Sequence, residues 1–186
     1  MDLTAADVAY VRANFVPLAD LAAGRDEDVA DLIARGLLPR PTYVLPDGTE
    51  MVPPDYFALA DEAGGAERLR AEFARRCEAL GLDAAEEWEA YLTGVYGVCL
   101  REVTPENIAA KDALVASITA LLDDPRPDDP QWRDSLRADV DALDALEREF
   151  APDYDRGPRF PLPPTRDRLI RAARERFADV FATART

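Results

Sequence analysis

The 186-residue chain contains no histidine, one lysine and two cysteines, and each shortage narrows what it does. Without histidine there is no Ser-His-Asp or Cys-His catalytic unit, no imidazole-ligated zinc or iron, and no side chain that ordinarily titrates near neutrality. Cys77 and Cys99, both in predicted helices, are too few for a disulfide framework or a zinc site. No apolar run approaches the ~18 residues of a membrane span, and Met1-Asp2-Leu3-Thr4 lacks the basic-then-apolar order of a secretory leader. The expectation is a cytoplasmic protein with no membrane partner, no metal and no cofactor. The groups left for chemistry are carboxylates, tyrosine, arginine, Cys99 and Lys111.

Positive charge is also short. Against 37 acidic residues stand 22 basic ones, a net charge of -15 and a pI near 4.4. Such a chain repels phosphate backbones at long range, which disfavours nucleic acid as a partner. The deficit is uneven: -6 over residues 1–60, -6 over 61–122, -8 over 123–155 and +5 over 156–186. The acidic third stretch and the basic tail are therefore expected to pack together. Hydrophobic content of 48% is ordinary for a globular protein, and the length allows one domain or a small module joined to a larger one.

The sharpest periodicity lies in residues 105–122, where Ile108, Leu114, Val115, Ile118, Leu121 and Leu122 define one apolar stripe at helical spacing. Thr104 is placed to cap this helix, and Pro105 suits its first turn, where no backbone donor is needed. At ~100° per residue, Lys111 falls inside the stripe, one turn from Ile108 and one turn from Leu114 and Val115. Two readings follow. Either the stem lies along the core while the ammonium reaches the edge or pairs with a carboxylate, or desolvation lowers its pKa and leaves an amine suited to Schiff-base or general-base chemistry.

Ahead of it, residues 84–102 read as a helix after an Asp83 cap, with Trp88, Tyr91, Leu92, Val95, Val98 and Cys99 on one side. Gly94 and Gly97 fall elsewhere on it, each costing about 1 kcal/mol relative to Ala. Close packing of a neighbouring helix, or a small ligand against bare backbone, would offset that cost. Cys99 reads as a small buried apolar group.

From the N-terminus, residues 4–15 read as a helix with a Thr4/Asp7 capping box, 18–23 as a second ended by Gly24, and 26–35 as a third stopped by Gly36. Tyr43-Val44-Leu45 and Thr49-Glu50-Met51-Val52 flank Pro46-Asp47-Gly48, a β-hairpin signal. A helix over 66–80 buries Leu69, Phe73, Cys77 and Leu80. One over 131–150 buries Trp132 through Phe150 at heptad-like spacing, leaving Asp139, Asp141, Asp144, Glu147 and Glu149 as a solvated face or as partners of arginines. Thr165 is expected to cap a last helix with Leu169, Ile170, Ala173, Phe177, Val180 and Phe181 inward and Arg166, Arg168, Arg171, Arg174 and Arg176 outward. Between the last two, the Pro-rich residues 151–164 should wrap the core and form a lid over any pocket.

Leu18-Ala19-Asp20-Leu21-Ala22, the helix to Ile33, Gly36-Leu37-Leu38-Pro39 and the hairpin resemble the winged helix-turn-helix of MerR-type regulators. In that family the second helix and the wing contact DNA. Here the second helix opens Asp26-Glu27-Asp28 and carries Asp31, so phosphate would meet its own charge. Taken whole, the chain resembles short bacterial proteins of an uncharacterised family labelled natural-product biosynthesis proteins. The pieces are Pro41-Thr42-Tyr43-Val44, Asp47-Gly48-Thr49-Glu50-Met51-Val52, Trp88-Glu89-Ala90-Tyr91-Leu92 with Gly94 to Leu100, and Phe150-Ala151-Pro152-Asp153-Tyr154-Asp155. This resemblance implies a pathway setting and no particular reaction.

The resulting fold expectation is mainly α: a winged helix-turn-helix-like module with a short β-hairpin at residues 1–62, packed on a helical bundle at 63–186 and sharing its core. The functional expectation is a small natural-product biosynthesis protein that binds a small molecule or carrier-bound intermediate between module and bundle. Lys111, Tyr91 and Tyr96 are its candidate catalytic groups, and Arg101, Asp153, Tyr154 and Tyr43 its candidate binding groups. The alternatives are an adaptor or regulator that uses the N-terminal module to contact a protein, less readily DNA, and a ligand-free homodimer.

Overall fold

Thr4 opens the first helix, α1 (Ala5–Asn14), through a capping box in which its hydroxyl accepts from the Asp7 amide while Asp7 accepts from the Thr4 amide. The structure, a computed structural model, describes residues 2–157, 159–160 and 162–182. After α1 come β1 (Val16–Pro17), α2 (Leu18–Ala22), α3 (Val29–Ala34), β2 (Tyr43–Val44) and β3 (Glu50–Val52). The three strands form an antiparallel sheet in the order β1-β3-β2, with Val16 opposite Val52 and Tyr43 opposite Met51. The hairpin was legible from its Pro-Asp-Gly turn. The two-residue β1 was not, because nothing but its alignment beside β3 makes it a strand.

The rest is helical: α4 (Ala58–Glu62), α5 (Ala66–Ala79), α6 (Ala84–Leu92), α7 (Tyr96–Cys99), α8 (Pro105–Asp123), α9 (Pro130–Leu146), a π-helical stretch Arg166–Arg171 running directly into α10 (Ala172–Arg176), and α11 (Ala178–Phe181). No helix among the described residues is long and apolar enough to cross a membrane.

Leu80, expected on the buried stripe of the 66–80 helix, is exposed at the end of α5, and three larger expectations need correction. The single helix expected over 84–102 is broken into α6 and α7 at Gly94, whose φ of +76° is open to glycine at little cost. A Cβ there would stand 2.5 Å from the Arg40 carbonyl oxygen, and one at Gly97 would stand 2.6 Å from the Thr42 hydroxyl. The glycines thus admit the 40–42 chain rather than a neighbouring helix. Second, α9 stops at Leu146, and Glu147, assigned to a solvated face or an arginine, is fully buried. Third, Thr165 lies in helical conformation and its side chain caps nothing, while the Arg166 side chain, expected outward, is only 11% exposed.

Two apolar clusters result. The first joins α1, the sheet, α5, α6 and α7 with Ile108 and Phe150; the second joins Ile118, Trp132, Leu136, Val140 and Leu143 with the inward face of the last helix. A boundary at residue 62/63 runs through the first cluster, which draws on both sides of it. As expected from the charge distribution, the basic tail packs on acidic α9: Arg174 bonds Asp141 (2.9 Å) and Asp144 (2.7 Å), and Arg166 bonds Asp144 (2.5 Å).

Candidate functional site

The two clusters meet along α8 and α9. Ile108 of α8 belongs to the first and Ile118 to the second, and Lys111 stands between them. At the end of α9, Leu143 packs in the second cluster and Leu146 against the first. Beyond Leu146 the chain turns extended and pairs with the exit of α7: the Arg148 amide donates to the Cys99 carbonyl (2.9 Å) and the Arg101 amide to the Leu146 carbonyl (3.1 Å), with Leu100 opposite Glu147. The Arg148 guanidinium clamps this bridge by donating to the carbonyls of Leu100 (3.0 Å), Arg101 (3.0 Å) and Asn14 (3.3 Å).

That bridge delivers Glu147 to the seam. Its carboxylate is wholly inaccessible; Oε1 forms an ion pair with Lys111 Nζ at 3.1 Å and accepts from the Thr165 hydroxyl. Oε2 has no hydrogen-bond partner among the described residues. Burial by itself would lower the Lys111 pKa, but its neighbours Cys99 and Glu147 outweigh it and the net direction is up. Burial raises the Cys99 thiol, with Lys111 pulling it only part of the way back. The contact that carries the pairing is geometric: the Lys111 ammonium lies 3.1 Å from the Glu147 carboxylate. Of the two readings open for Lys111, this proximity to a carboxylate supports the paired cation.

Above this pair lies an open groove of about 350 Å³, at the lower end of the range of small-molecule sites. Val95, Tyr96, Cys99 and Phe150 line it together with Phe160, Leu162, Pro163 and Pro164. The Pro-rich segment expected to act as a lid supplies the last four. It is tethered by the Thr165–Glu147 bond at one end and by Asp155 at the other, where Asp155 accepts from Tyr43 (2.5 Å) and the Ala151 amide (2.8 Å).

The remaining predicted groups are dispersed. Tyr96 lines the groove and donates to Glu87. Tyr91 is a core residue stacked with Phe73 (5.1 Å) and Trp88 (5.3 Å). Burial pushes both phenols up, so neither supplies a phenolate near neutrality. Arg101 is exposed and outside the groove. Asp153 accepts from the Thr4 hydroxyl (2.8 Å), and its amide and that of Tyr154 donate to the buried Asp7 (2.9 and 3.1 Å).

Tyr43 and Tyr154 line a second, more polar hollow of about 550 Å³ between the hairpin and the Pro-rich segment. Of its charged lining groups, Asp2 and Arg159, the arginine lies 3.6 Å from the buried Asp155 and over the Tyr43 ring. Between the N-terminal residues and the 94–97 turn only about 30 Å³ remains, room for roughly one or two waters. The groove over Lys111 involves no residue of 1–62.

Sequence reasoning singled out Lys111 and missed Glu147, Thr165 and Arg168, the last a lining residue of the groove. A lysine on an apolar stripe demands a carboxylate, but nothing in the sequence distinguishes Glu147 from the other 36 acidic residues.

Comparison with known proteins matches residues 60–178 to the model of a family of unknown function, DUF6058, and the matched region holds every residue of the groove. No curated protein and no solved structure matches the chain.

Proposed function

The chain belongs to this family of unknown function, and we propose that it is a small-molecule binding protein whose site is the groove over Lys111. The observation that carries the proposal is an apolar groove of ligand size with a lysine ammonium at its floor, fixed by a fully buried glutamate. Lys111 acts as a fixed charge: an amine held protonated by Glu147 neither attacks a carbonyl nor accepts a proton at neutral pH. In the setting implied by the resemblance to natural-product biosynthesis proteins, the ligand is an intermediate of secondary metabolism, free or on a carrier.

Cys99 and Lys111 report on occupancy. A molecule filling the groove slows alkylation of Cys99, which is 8% exposed, without affecting the inaccessible Cys77. It also moves the NMR signal of the only lysine. A panel of small apolar molecules that changes neither signal at millimolar concentration overturns the proposal.

The alternative role of residues 1–62 as a winged helix-turn-helix module is supported for protein contact rather than DNA. Arg25 is bonded to Asp61 and Glu27 (3.0 Å), and Arg35 to Asp31 (3.2 Å) and Glu67 (2.6 Å). A phosphate would have to displace those carboxylates, whereas Val44 on the edge strand β2 is apolar and 56% exposed.

A further inference from the structure

We infer that the groove selects a monocarboxylic acid with an apolar body, its carboxylate held between Lys111 and Arg168; this rests on the groove being the ligand site. The two charged residues that line it are both cations. Glu147 is not part of the lining, and its carboxylate lies 3.1 Å from the Lys111 ammonium. Arg168 uses Nε on the Pro163 carbonyl (3.1 Å), and among the described residues its terminal nitrogens have no partner and it makes no ion pair.

The charge count sets the valence. Two cations against one buried carboxylate leave a single positive charge, which one carboxylate neutralises. A dianion such as a phosphate monoester brings a second negative charge near Glu147 with nothing to answer it, and an ammonium would meet Lys111 and Arg168 directly. The guanidinium fork and the ammonium suit the two oxygens of a carboxylate. The rest of the lining is mainly apolar, and a volume of about 350 Å³ suits a small organic body.

The test is calorimetric titration of the intact protein with octanoate, 3-phenylpropanoate, their methyl esters, octan-1-ol, octylamine and octyl phosphate, run beside Cys99 alkylation. The expected result is that at least one acid binds ten-fold or more tighter than its ester and than the alcohol, that octylamine does not bind, and that octyl phosphate binds more weakly than octanoate. Arg168 is exposed, so Arg168→Met should fold normally; it should weaken the acid about ten-fold and leave the alcohol unchanged. Esters or alcohol binding as tightly as the acids overturns the inference and leaves the groove as a binding site. Preference for the amine or the phosphate also overturns it. If no probe binds and none protects Cys99, the groove reading itself fails.

Discussion

Replacing Lys111 by Met removes the cation from Glu147 while keeping most of the apolar stem. At 3.1 Å and an effective dielectric of ~20, the pair's attraction is about 5 kcal/mol. It is offset by several kcal/mol of desolvation for each ion. The variant keeps the desolvation of Glu147, which is wholly buried with Oε2 already unpartnered, and loses the attraction. The expected loss is therefore about 3–5 kcal/mol, the range for breaking a buried pair. Glu147→Gln should cost less, about 1–3 kcal/mol, because the Lys111 side chain is 17% exposed and its ammonium can turn to water in the groove. The double variant should be more stable than the sum of the two losses implies, by about 2 kcal/mol. Urea denaturation measures this: with a slope of ~2 kcal/mol/M, Lys111→Met moves the midpoint down by roughly 2 M. A shift under about 0.3 M, or two single losses that simply add, would refute the claim that the pair is buried and coupled.

Two further perturbations test the frame around the site. Gly94→Ala combines a positive φ with a Cβ 2.5 Å from the Arg40 carbonyl, and should cost about 3 kcal/mol or more; Gly36→Ala, at φ +69° with only a side-chain contact at 3.6 Å, should cost about 1–2 kcal/mol. Equal losses by thermal denaturation would mean that the close approach at Gly94 carries no energy. Burial alone would raise the Asp7 carboxyl, but donors from Asp153, Thr4 and Tyr154 together hold it below the ordinary range. A depressed carboxylate contributes stability that is full above its unfolded pKa, ~3.9, and is lost as pH falls through the folded value. Asp7→Asn should therefore be destabilised by about 1–3 kcal/mol at pH 7, with the gap to wild type closing below about pH 4. A gap independent of pH, measured by urea midpoints from pH 3 to 7, would rule out the charge as its source.

Much of the fold was legible because it rests on short-range rules. The Thr4/Asp7 capping box, the Thr104 cap with Pro105 behind it, the Pro-Asp-Gly hairpin and the helix α5 each depend on residues within a few positions of one another. The inward faces of α9 and of the last helix followed from apolar spacing, and the pairing of α9 with the basic tail from opposite charge. The sequence likewise marked Lys111 as out of place, because one cation inside an apolar stripe conflicts with burial wherever the helix packs.

What answers that cation was decided only in three dimensions. Glu147 reads as one more acid on an acidic helix until α9 ends at Leu146, four residues before the expected end, and it ends there because the 146–148 backbone finds a partner in 99–101. The same long-range fit turned Thr165 from an expected cap into a donor to Glu147 and broke the 84–102 helix where the Arg40 carbonyl approaches Gly94. Local hydrogen bonds and periodicity are written in neighbouring residues, so the sequence alone determined where most helices start, the hairpin and the misplaced lysine. The partner of a buried charge depends on which distant segments share a seam, and only tertiary packing chooses it.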